Sequence, residues 1–275
     1  HLSIRRQRQM CIRDSFLKGA GELNLPEAYV FETGTNQWRR EEAWPPRKVE
    51  SRSLYFHSNG KLAWDQPADD SAAAFDEYIS DPAKPVPYIN GTAIGMTREH
   101  MVEDQRFASR RTDVLVYETD ELAEDVTLAG PISPSLQVST TGTDSDWVVK
   151  LIDVYPDNAT DPQPNPAEVR MGGYQQLVRG EVMRGKFRNS YEKPEPFVPG
   201  QITRVEYTMP DILHTFRRGH RIMVQVQSSW FPLVDRNPQK FVDIYSAKAN
   251  DFQKATQRVY HSKSAASFVR VNVLN

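Results

Sequence analysis

The chain is predicted to fold as an all-β sandwich of jelly-roll type, and three observations carry that expectation. Gly219 to Phe241, GHRIMVQVQSSWFPLVDRNPQKF, alternates along a strand and then breaks in a proline-rich turn. From Val114 onward, short strand-like segments recur with turn residues between them. Sustained helical periodicity is almost absent. In the first of these segments Ile222, Val224 and Val226 share one face, and Met223, Gln225 and Gln227 share the other. One apolar and one mixed face suits an antiparallel sheet with a core on one side and water on the other.

In chain order, His1 to Ser15 is basic, lacks a period and lacks the apolar core of a signal peptide. The string resembles translated sequencing-adapter read-through at the end of a metagenomic fragment, so residues 1–15 are expected to be non-native. Cys11, the only cysteine, lies inside it, so the rest of the chain has no thiol chemistry and cysteine usage assigns no compartment. Phe16 to Gly21, FLKGAG, reads as the last turn of a helix stopped by glycines. A hairpin is expected in Ala28–Trp38, turning at Gly34, and another in Ser53–Trp64, turning at Ser58-Asn59-Gly60. Pro82 to Arg111 is rich in Pro, Gly and Arg and reads as a long excursion from the sheet.

Strands are then expected at 114–117, 126–129, 136–139, 147–154, 176–187, 202–208, 220–227, 258–261 and 268–273. Gly130-Pro131, Pro156-Asp157, Asp161–Pro166, Gly172-Gly173 and Pro194–Gly200 serve as turns. Short helices are expected only near Ile212–Arg217 and Ala247–Lys254.

A chain of 275 residues can bury a substantial core, and its net charge of -2 offers no basic field for nucleic acid. The longest largely apolar runs, such as Val148–Ile152, are strand length, so no membrane partner is expected. No G-x-S-x-G pentad is present, and His1, His57, His100, His214, His220 and His261 show no zinc-ligand spacing. His220, at a strand start, reads as structural. Asp144 and Asp146 offer two oxygens to calcium, but an Asx turn before a core strand explains them better. Trp38, Trp44, Trp64, Trp147 and Trp230 could form a sugar platform, with core packing favoured at Trp147 and Trp230. Arg179, Arg184, Lys186 and Arg188 read as a solvated or salt-bridged strand face.

Several segments together resemble the C-terminal domain of the serine hydrolase family of α-amino acid ester hydrolases, cocaine esterase and X-Pro dipeptidyl-peptidases. They are YISDPAKPVP (Tyr78–Pro87), DQR (Asp104–Arg106), RTDVLVYET (Arg111–Thr119), TGTDSDWVVKLIDVYP (Thr141–Pro156), RGEVMRGKFR (Arg179–Arg188) and Gly219–Phe241. Thr141–Pro156 and Ser228–Phe241 are most similar to the α-amino acid ester hydrolase branch.

The resemblance implies a galactose-binding-like jelly roll over 26–275, with 16–25 as the end of an α/β-hydrolase domain whose Ser-His-Asp triad lies upstream. No triad residue can be carried over, so this chain is expected to be inactive alone, with no cofactor and no metal. Its implied partners are the hydrolase and cap domains of the same chain and a small ester or peptide substrate, in a periplasmic or secreted setting. A homo-oligomer is compatible with it. The jelly roll is expected to close one side of the substrate cleft, with Pro85–Glu103 reaching furthest and Tyr88 and Met96 as the substrate-binding candidates. The apolar edge at Trp230, Phe231 and Leu233 would be a docking surface. The rival readings are a free-standing carbohydrate- or peptide-binding jelly roll, which requires a solvent-facing Trp cluster, and an oligomerisation module.

Overall fold

The computed structural model describes residues 17, 26–71, 74–92, 95 and 97–274. The helix end expected at Phe16–Gly21 and the segment 1–15 fall outside them, apart from Leu17, which lies in a turn. The described chain is nearly all β, a β-sandwich built from one large curled sheet and a small hairpin. Strands β1 (Ala28–Glu32) and β2 (Gln37–Glu41) pair antiparallel as the hairpin. The large sheet contains β3 (Val49–His57), β4 (Lys61–Ala63), β5 (Phe75–Ser80), β6 (Val114–Glu118), β7 (Val126–Thr140), β8 (Asp146–Val154) and β9 (Gln175–Arg184). It is completed by β10 (Thr203–Glu206), β11 (Met209–Phe216), β12 (Arg221–Gln227), β13 (Ala255–Tyr260) and β14 (Phe268–Leu274). Its order is β5-β13-β7-β14-β3-β4-β6-β12-β8-β9, with β10 and β11 also paired to β7.

The expected hairpin turns form where local chemistry demands them. Asn59 and Gly60 both take positive φ, 59° and 68°, between β3 and β4. A side chain at Gly60 would come within 2.7 Å of the Val116 carbonyl oxygen, so glycine is required twice over. The β1–β2 hairpin turns over Gly34 and is stitched to β11 by Thr33 N–H to Leu213 O (3.1 Å) and Thr215 N–H to Thr33 O (2.9 Å).

Two expectations about element boundaries are overturned. Gly130-Pro131 does not separate two strands, because β7 runs unbroken for 15 residues. Gly130 absorbs the kink with φ +98°, and register shifts in β11 between Met209 and Ile212 and in β14 between Arg270 and Val273 take up the mismatch. This is bulge chemistry inside a strand. Ile212–Arg217 is not a helix: Ile212 to Phe216 belong to β11 and pair with Gly130 to Val126 of β7. A short apolar run suits either period, and pairing with β7 decides it. At Ala247–Lys254 only a 3-10 turn forms, Ala249–Asp251, capped by Lys248 N–H donating to the Asp251 carboxylate (3.0 Å).

The principal core lies inside the curled sheet and is built of hydrophobic side chains. Phe56, Leu54, Tyr117, Leu136, Trp147, Val149, Leu151, Phe216, Ile222, Val224 and Val226 are buried in it, and Phe56 stacks on Tyr117 at 4.2 Å. The opposite face of β12 is not wet, as its mixed composition suggested. Met223 is 2% exposed and Gln225 and Gln227 are 0% exposed, because the Pro82–Arg111 excursion and the loop after β12 cover them.

Candidate functional site

The excursion is fastened over the outer face of β12, β8 and β9. Its first half runs beside the loop after β12: Tyr88 N–H donates to Phe231 O and Phe231 N–H to Val86 O, both at 2.9 Å. Its second half contains a single helical turn, α1 (Arg106–Ser109), and is clamped by the DQR triplet. The Arg106 guanidinium pairs with the Asp104 carboxylate and also donates to the carbonyls of Gly172 (2.9 Å) and Arg170 (3.0 Å). Gln105, fully buried, donates its N–H to Gln175 O at 2.8 Å. A second cluster, Tyr88, Ile89, Val148, Ile152, Leu177, Met223 and Trp230, fills the space between excursion and sheet.

At the centre of that space stands Lys150, 0% exposed. It lies in register between Gln225 on β12 and Gly180 on β9. Its Nζ donates to Gln105 Oε1 (2.9 Å) and sits 5.0 Å from the Trp230 ring centroid. Burial drives the Lys150 ammonium down to about 7, opposed by the field of Glu103. Gly180 leaves room for the indole, since a Cβ there would meet Trp230 Cη2 at 2.6 Å. Beside this centre Leu177, Gly180, Trp230 and Leu233, with His100 and Met101 from the excursion, line a groove of about 500 Å³.

Lys150, Gln105 and Gln225 escaped sequence reasoning. The available signal was a lysine in the middle of the otherwise apolar strand WVVKLIDV, but alternation alone places such a lysine on a wet face.

Of the two substrate-binding candidates, Tyr88 is buried within the excursion. Its hydroxyl donates to Gly95 O (3.1 Å) and accepts Thr97 N–H (3.4 Å), and its ring packs by His100. Met96 lies outside the described residues. The expected apolar docking edge is only partly present: Trp230 is covered by the chain itself, whereas Phe231 is 38% exposed beneath the Arg236 guanidinium.

Other candidates resolve into internal bonds. The Asp146 carboxylate takes Arg184 Nε (3.1 Å) and Asn237 Nδ2 (2.8 Å), and Asp144 Oδ1 takes the N–H groups of Ser145 and Lys186. Burial, then the Asp146 charge, pushes the Asp144 carboxyl up to about 6. Among the described residues no group of three or more His, Cys, Asp or Glu is placed to hold a metal ion. The basic cluster does not form a solvated face. Arg184 pairs with Asp146, Lys186 Nζ reaches Val242 O (2.8 Å), Arg188 reaches Glu195 O (2.8 Å) and Arg179 reaches Asp211 O (2.9 Å).

His220 and His214 both bond the Asp153 carboxylate, at 2.8 and 3.3 Å, and His214 Nδ1 meets Thr33 Oγ1 at 2.8 Å. Burial raises the Asp153 carboxyl, but the two imidazoles outweigh it and hold the group below its usual range. The order hydroxyl–imidazole–carboxylate resembles a nucleophilic triad, yet His214 is 0% exposed and the hydroxyl ties the β1–β2 hairpin to β11. It is a structural relay. Glu32 does similar work: burial raises its carboxyl, but hydrogen bonds from Thr215, Thr35 and Arg39 win and lower it.

The five tryptophans do not converge on one platform. Trp147 and Trp230 are core, Trp44 Nε1 donates to Asp211 Oδ2 (2.6 Å), and Trp64 lies under Arg52. Trp38 is exposed, stacked on Tyr29 at 4.9 Å with Phe31 at its edge. No described helix is long and apolar enough to cross a membrane.

Comparison with known proteins accounts for this arrangement of a tied-down sandwich. The chain is 42% identical, with a TM-score of 0.90, to an aminopeptidase from the marine sediment archaeon Thaumarchaeota archaeon, over 98% of this chain and 44% of that one. An α-amino acid ester hydrolase matches at 42% identity and a TM-score of 0.87, over 95% and 43% of the two chains. Cocaine esterase of Rhodococcus sp. (strain MB1 Bresler) is 29% identical over 95% of this chain and 44% of its own length. The chain thus spans less than half the length of these relatives. Residues 23–270 match the family described as the X-Pro dipeptidyl-peptidase C-terminal non-catalytic domain, and the chain belongs to that family.

Proposed function

We propose that this chain is the C-terminal part of a serine hydrolase acting on esters or amides, with α-amino acid esters or β-lactam-type acyl donors as its substrates. The observation that carries this reading is the family match over residues 23–270. In the intact enzyme a serine attacks the acyl carbonyl, a histidine moves the proton, and the acyl-enzyme passes its acyl group to water or an amine. None of those steps is assigned to residues of this chain. Its own part is to pack over the hydrolase and cap domains and to present Pro85–Glu103 of the excursion as one wall of the cleft. Firm fastening of the excursion through Asp104, Gln105 and Arg106 supports that part, because a wall must hold its position. Tyr88 acts from behind the wall, holding the Gly95 carbonyl, with Met96 next in sequence.

The test is a chimera. Joining this chain to the remainder of the Thaumarchaeota aminopeptidase is expected to give aminoacyl-ester turnover that neither part gives alone. A chimera no better than its parts overturns the reading, as does nitrophenyl-ester turnover by the isolated chain that a serine-directed phosphonate abolishes. One observation favours a second reading, a glycan-binding module: the exposed Tyr29–Phe31–Trp38 cluster. It requires saturable glycan binding that is lost in Trp38→Ala.

A further inference from the structure

The site around Lys150 is built for an amine and poorly built for an ammonium. An ammonium has three N–H donors, and here one of them has a partner, Gln105 Oε1. Each element packed against Lys150 can be inspected for compensation. From β12 comes Gln225, neutral, and from β9 comes Gly180, with no side chain. From the loop after β12 comes the Trp230 ring, uncharged, whose face attracts a cation but accepts none of its N–H groups as a carbonyl or carboxylate would. From the excursion come Gln105 and, more distantly, the Glu103 carboxylate, the charged group whose field reaches the amine. Gln225 Oε1, buried in the same row, has no hydrogen-bond partner. A charge held here is left largely unsolvated.

The walls of the site differ in how easily they give way. β8 and β12 are interior to the hydrogen-bonded sheet and β9 is its edge strand, and exposing Lys150 from that side requires breaking the ladder that pairs β8 with both neighbours. The roof is Gln105 and the Trp230 ring, neither of them part of the sheet; Gln105 lies on a segment whose regular structure is a 3-10 turn and the single turn α1, held by its own N–H bond to Gln175 O and by the Asp104–Arg106 clamp. Local opening concentrates in segments of that kind.

We propose that Lys150 is a positioning residue acting as a proton-operated latch: the base of the excursion closes over the neutral amine and opens when the amine takes up a proton. The sign follows from burial, which lowers the amine's affinity for protons in the closed state to about 7, whereas an open, hydrated lysine titrates near about 10.4. Opening therefore takes up a proton. The closed state gains about tenfold per pH unit between about 7 and 10, and its advantage is flat below about 7. The bearing of the latch on a substrate cleft rests on the function proposed above. The latch itself is a property of this chain alone.

Amide hydrogen exchange on the whole chain from pH 6 to 10, expressed as protection factors, tests it. Protection at Gln105 and Ala108 is expected to rise about tenfold per pH unit above pH 7 while Val224, in the sheet, shows no such slope. Lys150→Met is expected to give high, pH-independent protection at the same amides. Lys150→Arg, which keeps its charge throughout, is expected to give low, pH-independent protection. A flat wild-type profile, or a slope that survives in Lys150→Met, overturns the latch. The wild-type profile decides even where a variant fails to fold, and a failed chimera leaves it untouched.

Discussion

The two faces of β12 and β8 were built to different specifications. On the inner face Val224, Val226, Val149 and Leu151 belong to a core of hydrophobic side chains that holds no carboxylate and no amine. On the outer face Lys150, Gln225 and Gln227 are just as buried but lie among polar groups, under a roof that is not part of the sheet. A sandwich that needed only stability would repeat the first solution on both sides. Retaining a lysine where an aliphatic residue would pack more cheaply makes the outer face the side on which position and mobility are controlled.

The sharpest way to break this distinction is to damage the inner face alone. Phe56→Ala removes a fully buried ring stacked on Tyr117 and is expected to cost about 3–5 kcal/mol in denaturant unfolding. The pH slope of exchange at Gln105 should survive it. Loss of that slope would show that the two faces are one cooperative unit. On the outer face, Gly180→Val pushes a side chain into Trp230 and is expected to cost about 1–3 kcal/mol. Exchange protection should fall first at Gln105 and Phe231, and equal loss at Val224 would contradict an independently opening roof.

The smallest effect is expected at Asp144, which is buried at the entry to β8 away from both faces. Its carboxyl holds a proton up to about 6 in the folded chain but only to about 3.9 when unfolded, so folding is favoured at low pH and the advantage is lost as pH rises through 6. Asp144→Asn keeps the acceptor for Ser145 and Lys186 and should raise stability by about 1–2 kcal/mol at pH 7, and hardly at all near pH 3. Thermal melts at the two pH values read the difference directly.

Much of the fold was legible because its signals are local. The Asn59-Gly60 turn, the Gly34 turn and the alternation of Ile222, Val224 and Val226 each depend on a few neighbouring residues. Where the reading failed, a distant partner overruled the local signal. Gly130-Pro131 has turn chemistry, but pairing with β11 and β14 carries β7 straight through it. Ile212 to Phe216 could have coiled, but β7 supplies a ladder. The site was less legible than the fold. The groups that fasten the excursion to the sheet and to the loop before β9, Asp104, Gln105, Arg106 and Lys150, act across 45 or more residues of sequence.

The sequence by itself determined that this protein is a β-sandwich of the serine hydrolase C-terminal kind without a nucleophile elbow, because periodicity, turn residues and motif order are written in consecutive residues. Only the tertiary structure decided which residues would be dry. Burial is a property of what packs above a strand, and the covers of Lys150, Gln105 and Trp230, come from distant stretches of chain. The physical consequences follow from that cover: burial pushes the Lys150 ammonium down to about 7, and its bond to Gln105 adds a proton-dependent hold on the excursion.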